Sequence, residues 1–257
     1  MRRLTHQAVA LHRGSVRLPD LPAVLAELHR FAARRNATSF RVRVNPALTT
    51  LEVVDDGEAL SERFVASAVV DPDDLFAQLQ TVSACSLVST DSHGSVEYVL
   101  AGDDVTPRRL PSQSLAPGVW ITCTDLFANL PTHRTSINAI LSALRTCSIF
   151  RPSIAVSLLH DTVSLLSLHR HHSSLSAYLA LFSVRCRPFS FLYPIGSLLL
   201  SGFYCALSDL PAATAPDMTI FSRPTPLSPA DFNGVPFHSD DILITTRRAY
   251  LRALKRP

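Results

Sequence analysis

The sequence predicts an α+β fold, helices laid on a mixed, mainly antiparallel sheet, and three observations predict it. Residues 21–35, LPAVLAELHRFAARR, repeat apolar side chains at helical spacing. The runs SFRVRVNP and TTLEVVDDG are β-branched and stand one short polar turn apart, as in a hairpin. GVWITC then alternates like a strand and passes through TDLFANLPTHR into TSINAILSALRTCSIF, where apolar residues return to helical spacing. A helix followed by antiparallel strands, repeated along a chain, buries its apolar faces by layering.

Taken in order, the first helix places Leu21, Val24, Leu25, Leu28 and Phe31 on one face, with Pro22 suited to its first turn. DLFAQLQTVSAC reads as a second helix, and SLVSTDSHGSVEYVLAGDD as a hairpin around His93 and Gly94. Thr135 or Ser136 caps the helix that carries Ile137, Ile140, Leu141, Leu144 and Ile149. SIAVSLLHDTVSLLSLH makes a further pair of strands. The polar stretch HRHHSS is the expected boundary, giving a first domain over 1–172 and a second over 173–257. In the second, FSFLYPIGSLLLSGFYCAL reads as two strands joined by a turn, because Pro194, Gly196 and Ser197 interrupt a run that would otherwise approach membrane length. Another strand over 218–223, a Pro-rich loop and a basic helix follow.

With 257 residues, 47% of them apolar, the chain can bury a sizeable core. A formal charge of +3 is too mild to declare a nucleic-acid binder, and the basic C-terminal run TTRRAYLRALKRP reads first as a solvated helix face. Five cysteines, Cys85, Cys123, Cys147, Cys186 and Cys205, are widely spaced and form no C-x-x-C pair; they read as reduced core residues of an intracellular protein. His169, His171 and His172 have neither helical i, i+4 spacing nor an adjacent Cys or carboxylate, so they read as a linker and no metal site is expected.

Set in order, these pieces resemble the N-terminal region of MutL-type DNA mismatch-repair proteins, of the GHKL ATPase superfamily. Gly118, Asp125, Leu126, Phe127, Asn129, Pro131 and Arg134 fall on the family's Gly-Thr-Thr strand and the Asp-Leu-Phe, Asn, Pro and basic residue that follow it. ELHRFAARRNATSFRVRV is similar to the family's ELVENSLDAGATxIxVxV, and FRPSIAVSLLHD to its hPsIxhsLxxd. LSGFYCAL and MTIFSRPTPL look like the opening strands of the family's transducer domain. The resemblance implies a GHKL (Bergerat-type) α/β sandwich followed by a truncated, ribosomal-protein-like transducer domain. The family's Val-Asp-Val-Asn-Val-His-Pro strand and the Lys that reaches the γ-phosphate have no match.

The resemblance also assigns roles. Glu27 matches the general base that activates water, Asp55 and Gly57 the Asp-x-Gly that holds the adenine amino group, and Gly118 the glycine of the Gly-Thr-Thr strand. Without the resemblance, Glu27 is a solvated helical carboxylate and Asp55-Asp56-Gly57 a turn. Other positions depart from the pattern. Phe31 stands where an Asn coordinates magnesium, and it offers no oxygen to a hard cation. Arg34, Asn36, Asp56 and Ala59 replace a family Asp, Gly, Asn and Gly. Val119 and Trp120 replace the two threonines, with Trp120 expected to fill space beside the nucleotide. Only twenty positions separate Asp55 from Leu75, where the family carries a longer phosphate lid.

The implied function is a MutL homologue of the nucleus that works on mismatched DNA as a heterodimer with another MutL homologue, alongside a MutS-type mismatch sensor. ATP binding is expected to be weak or absent, magnesium to be lost, and hydrolysis to be impaired. The alternatives are an active ATPase with a rearranged site and an unrelated α+β binding domain. The last predicts a different arrangement of strands, with no helix bearing Glu27 packed over a sheet that holds Val53–Asp55 and Ile121.

Overall fold

The computed structural model describes residues 16–101, 104–110, 116–128 and 136–182, and the backbone of 188–195 and 198–205. The chain divides into two compact units, residues 1–183 and 184–257. In chain order the first holds α1 (Leu21–Arg34), β1 (Ser39–Val44), β2 (Leu51–Asp55), α2 (Glu62–Val70), α3 (Leu75–Val82) and β3 (Ala84–Asp91). It continues with β4 (Gly94–Ala101), β5 (Asp104–Arg109), β6 (Gly118–Thr124), α4 (Ile137–Phe150), β7 (Ala155–His160), β8 (Val163–Leu168) and α5 (Ser174–Phe182). Helix α5 follows the expected boundary at residue 172 and lies in the first unit.

An eight-stranded sheet runs β5-β4-β3-β6-β2-β1-β7-β8. All neighbours are antiparallel except β1 and β7, which pair in parallel from Ser39↔Ala155 to Val44↔His160. The fold is thus α+β with a mixed, mainly antiparallel sheet, as the sequence predicts. In the second unit, β9 (Pro188–Ile195) and β10 (Leu198–Cys205) pair as a separate antiparallel sheet, the two strands expected there. The expected strand over 218–223 and the C-terminal helix lie outside the described residues.

One face of the large sheet is the core face. Val42, Val53, Leu87, Ile121 and Leu158 from five strands share a single buried cluster with Leu21, Leu25 and Leu28 of α1 and Leu144 of α4. Caps set the helix starts: Asp20 accepts from Ala23 N at 2.8 Å, and Ser136, one of the two residues expected to cap α4, accepts from Ala139 N at 3.2 Å. The β1–β2 turn is built by Asn45, whose Oδ1 accepts from the N–H groups of Thr49 and Thr50. On the core face, Cys85 and Cys123 stand directly opposite on β3 and β6 with both thiols buried and free, as the sequence reading expects of core cysteines. No helix among the described residues is long and apolar enough to cross a membrane.

Three elements escape the sequence reading. Helix α2 is short, although Ser61 caps it and Phe64, Val65, Ala68 and Val69 carry helical spacing. Strand β5 contains Pro107 and forms one edge of the sheet, where a missing N–H is tolerated. Helix α5 is apolar with little periodicity, so it reads equally as strand or helix.

The burial of His29 makes a prediction. Its ring stands edge-on to Phe40 at 5.1 Å, it is 3% exposed, and Nε2 has no hydrogen-bond partner. Burial, with Arg151 and Arg30 nearby, lowers its pKa from 6.5 to about 4. The unfolded chain therefore binds this proton more tightly than the folded one, so His29 does not oppose folding above pH 6.5 and does so increasingly as pH falls toward 4. The difference corresponds to about 3 kcal/mol. Urea unfolding of the wild type and His29→Leu should show stabilities diverging across this window, the variant losing less; parallel curves would refute the assignment.

Candidate functional site

Helix α1 ends in a way that builds the site. Arg35 caps it, its N–H donating to Ala32 O at 3.0 Å, and Asn36 follows with φ 60°, a left-handed conformation that Asn tolerates. This reversal aims Arg35 at the end of β2. Its Nη2 pairs with Asp55 Oδ2, its Nη1 donates to Glu58 O at 2.6 Å, and its guanidinium carbon lies 4.5 Å from the centre of the Phe31 ring. The backbone closes the same contact, because Glu58 N donates to Arg35 O at 2.9 Å.

Asp55 is the last residue of β2 and points to the core face, with its side chain 1% exposed. Burial raises its pKa above the ordinary value, while Arg35 and the N–H of Gly57, 2.9 Å from Oδ1, pull it back. Burial likewise lowers the Arg35 pKa, and Asp55 opposes that. Gly57 is tightly fitted: a Cβ there would lie 3.0 Å from both Arg35 O and Asp55 Oδ1, so a neighbour would have to give by a few tenths of an ångström. Gly118 opens β6 with φ +140°, and a Cβ on it would meet Asp55 O at 2.0 Å. The fold therefore brings Asp55, Gly57 and Gly118 together, three of the four residues singled out from sequence. Asp56 has a structural task, accepting from Thr38 N, Thr38 Oγ1 and Ser39 N at 2.6–2.7 Å to fasten the start of β1. Burial works to raise its pKa, but these bonds outweigh that and hold it low.

Beside this cluster lies a cleft of about 540 Å³ between α1, the 58–61 loop, α2 and the start of α3. Glu27, the fourth predicted residue, lines it, as do Arg30, Phe31, Arg34 and Arg35. Glu27 is ion-paired with Arg30 and 38% exposed, one turn before Phe31. Phe31 sits in an aromatic group, edge-on to Phe76 at 5.1 Å and stacked on Phe64 at 6.3 Å. The segment where the family carries its phosphate lid contains α2 instead, and Phe64 comes from it.

One expectation is modified here, and one residue enters that the sequence reading passed over. Trp120 does not fill the nucleotide side: Val119 and Ile121 face the core, whereas Trp120 faces the opposite side of the sheet, beside Val54 and Val88, and is 39% exposed. Strand alternation forces this once Val119 pairs with Asp55. Arg35, unremarked in the sequence, is central; the signal available was a long cation where the related pattern ELVENSLDAGAT carries Ala. The opening of TDLFANLPTHR is placed firmly: Leu126 N donates to Thr49 O at 3.0 Å and Phe127 N to Val82 O at 2.7 Å, with both side chains buried. Asn129, Pro131 and Arg134 lie outside the described residues.

A magnesium nucleotide would need oxygen ligands for the metal and a free acceptor for its base from these residues. Phe31 has no donor atom for magnesium, and among the described residues no group of three or more His, Cys, Asp or Glu is arranged to hold a metal. Asp55, which would accept from an adenine amino group, is already bonded to Arg35 and lies off the cleft wall. The residues present do not fit the group as they stand.

No protein-family model matches the sequence, and no curated protein matches it at a significant level. Solved structures do match. The Aquifex aeolicus MutL ATPase domain complexed with ADP aligns with a TM-score of 0.56 at 20% identity, over 71% of this chain and 75% of that one. The N-terminal domain of a DNA repair protein aligns with a TM-score of 0.62 at 14% identity, over 76% and 70%. The B-subunit of the DNA gyrase from Myxococcus xanthus aligns with a TM-score of 0.56 at 12% identity, over 76% and 66%. The eight-stranded mixed sheet with helices on its core face is therefore the GHKL ATPase fold. Within that class, the chain carries a MutL-like N-terminal ATPase fold. Its α1, bearing Glu27, shares a core with the strands of Val53 and Ile121, so the unrelated α+β arrangement is set aside.

Proposed function

We propose that this chain is a catalytically silent MutL homologue: a MutL-like domain that serves mismatch repair by contacting DNA and a second MutL homologue, without hydrolysing ATP. The observation that carries it is the self-occupied site. Arg35 fills the coordination of Asp55, and an aromatic cluster around Phe31 stands where a magnesium ligand would be. A general base at Glu27 has nothing to act on without a metal-bound triphosphate in register with it. Glu27 is in any case engaged by Arg30. A transducer-like second domain, a MutS-type sensor as a further partner and a nuclear location belong to the same reading.

The test is ATP turnover by the full chain with and without magnesium, beside DNA binding measured across a salt series. Turnover should be at background and unchanged in Glu27→Ala, while DNA binding persists without nucleotide and weakens as salt rises. Magnesium-dependent hydrolysis that Glu27→Ala abolishes would establish the rearranged-ATPase alternative instead.

A further inference from the structure

We propose that Arg35 is an internal stand-in for a nucleotide base, holding Asp55 as the amino edge of an adenine would and thereby keeping adenine nucleotides out of the cleft. The inference rests on the silent-MutL reading above and assigns the cause of the silence at the base-binding end of the site to one side chain.

A chemical premise and three observations support it. A buried carboxylate recognises N–H donors, and a guanidinium presents the same donor type in a planar, forked geometry. Arg35 lines the cleft, whereas Asp55, Gly57 and Gly118 do not, and Arg35 is the lining residue that pairs with Asp55. Arg35 is held like a ligand, with Asp55 and Glu58 O as acceptors and the Phe31 ring against its face. Its fit is incomplete: Arg35 is 8% exposed, and its Nε is buried without a partner. An unsatisfied buried donor weakens the hold, so this contact is displaceable in a way a fully bonded one is not.

The experiment measures equilibrium binding of ADP, without metal, to the full-length wild type and to Arg35→Ala. Arg35→Ala should bind ADP at least tenfold more tightly, and adding Asp55→Asn to it should remove that gain. Millimolar methylguanidinium should compete with ADP in Arg35→Ala and not alter the wild type. Arg35→Met, which keeps an apolar stem against Phe31 while losing the donors, gives the same reading if Arg35→Ala fails to fold, as a thermal melt will show. ADP binding that is equal in the wild type and the folded variants, tighter in the wild type, or missing from all of them overturns the proposal. These outcomes leave the silent-ATPase reading standing. Glu27-dependent hydrolysis in the wild type would sink that reading and leave the Arg35 comparison to be judged by its own titration.

Discussion

Gly118→Ala should lower the unfolding free energy by at least about 3 kcal/mol, measured by guanidinium chloride denaturation. Two causes add. Gly118 has φ +140°, a backbone conformation side chains rarely adopt, and its Cβ would lie 2.0 Å from the carbonyl oxygen of Asp55. That atom belongs to the backbone of β2, paired to β6 through Asp55↔Val119, so relief requires parting two central strands. Gly94 separates the two causes. It has φ +141° with nothing within 4 Å of a built Cβ, so Gly94→Ala should show the dihedral cost alone, about 1–2 kcal/mol. If the two variants lose the same stability, the close approach of β6 to Asp55 is not what demands glycine at 118.

The Asp55–Arg35 pair should show the second large effect. Asp55→Ala strands a guanidinium that is 10% exposed at its side chain, and leaving a buried charge unpaired costs about 3–5 kcal/mol. Glu58 O remains as an acceptor, which places the expected loss toward the lower end. Replacing both partners, as Arg35→Met with Asp55→Leu, removes the charge and its desolvation together and should recover most of the loss. A double-mutant cycle of equilibrium unfolding reads the coupling directly. An Asp55→Ala loss below about 1 kcal/mol would mean that the pair does not hold α1 to β2, and would also weaken the case for Arg35 as a bound internal ligand.

Much of the frame was legible in the residues. The helical spacing of Leu21, Val24, Leu25 and Leu28, the alternation in SFRVRV and LEVVD, and Ser136 as a cap all depend on interactions within a few positions, which composition and spacing reveal. The same holds for the missing metal donor at Phe31, since a benzyl side chain offers no oxygen in any fold. Helix α2 and strand β5 were obscured for local reasons, a short span in one and Pro107 at a sheet edge in the other.

The site itself was only partly legible. Asp55, Gly57 and Gly118 were singled out and do lie together, but for reasons the sequence did not carry: Gly118 makes room for the carbonyl of Asp55, and Gly57 for that of Arg35. Glu27 reaches the cleft, which Arg35 also lines and those three residues do not.

By itself, then, the sequence determined most of the helices and strands, the order of landmarks shared with the MutL-like fold, and the absence of a metal-binding oxygen at position 31. Tertiary structure alone decided that Trp120 faces away from the cleft, because the pairing of Val119 with Asp55 sets which alternate residues enter the core. It also decided that Arg35 reaches Asp55, twenty positions along the chain. That contact depends on where α1 ends over the sheet and on the left-handed turn at Asn36, and neither is encoded by the spacing of the two residues.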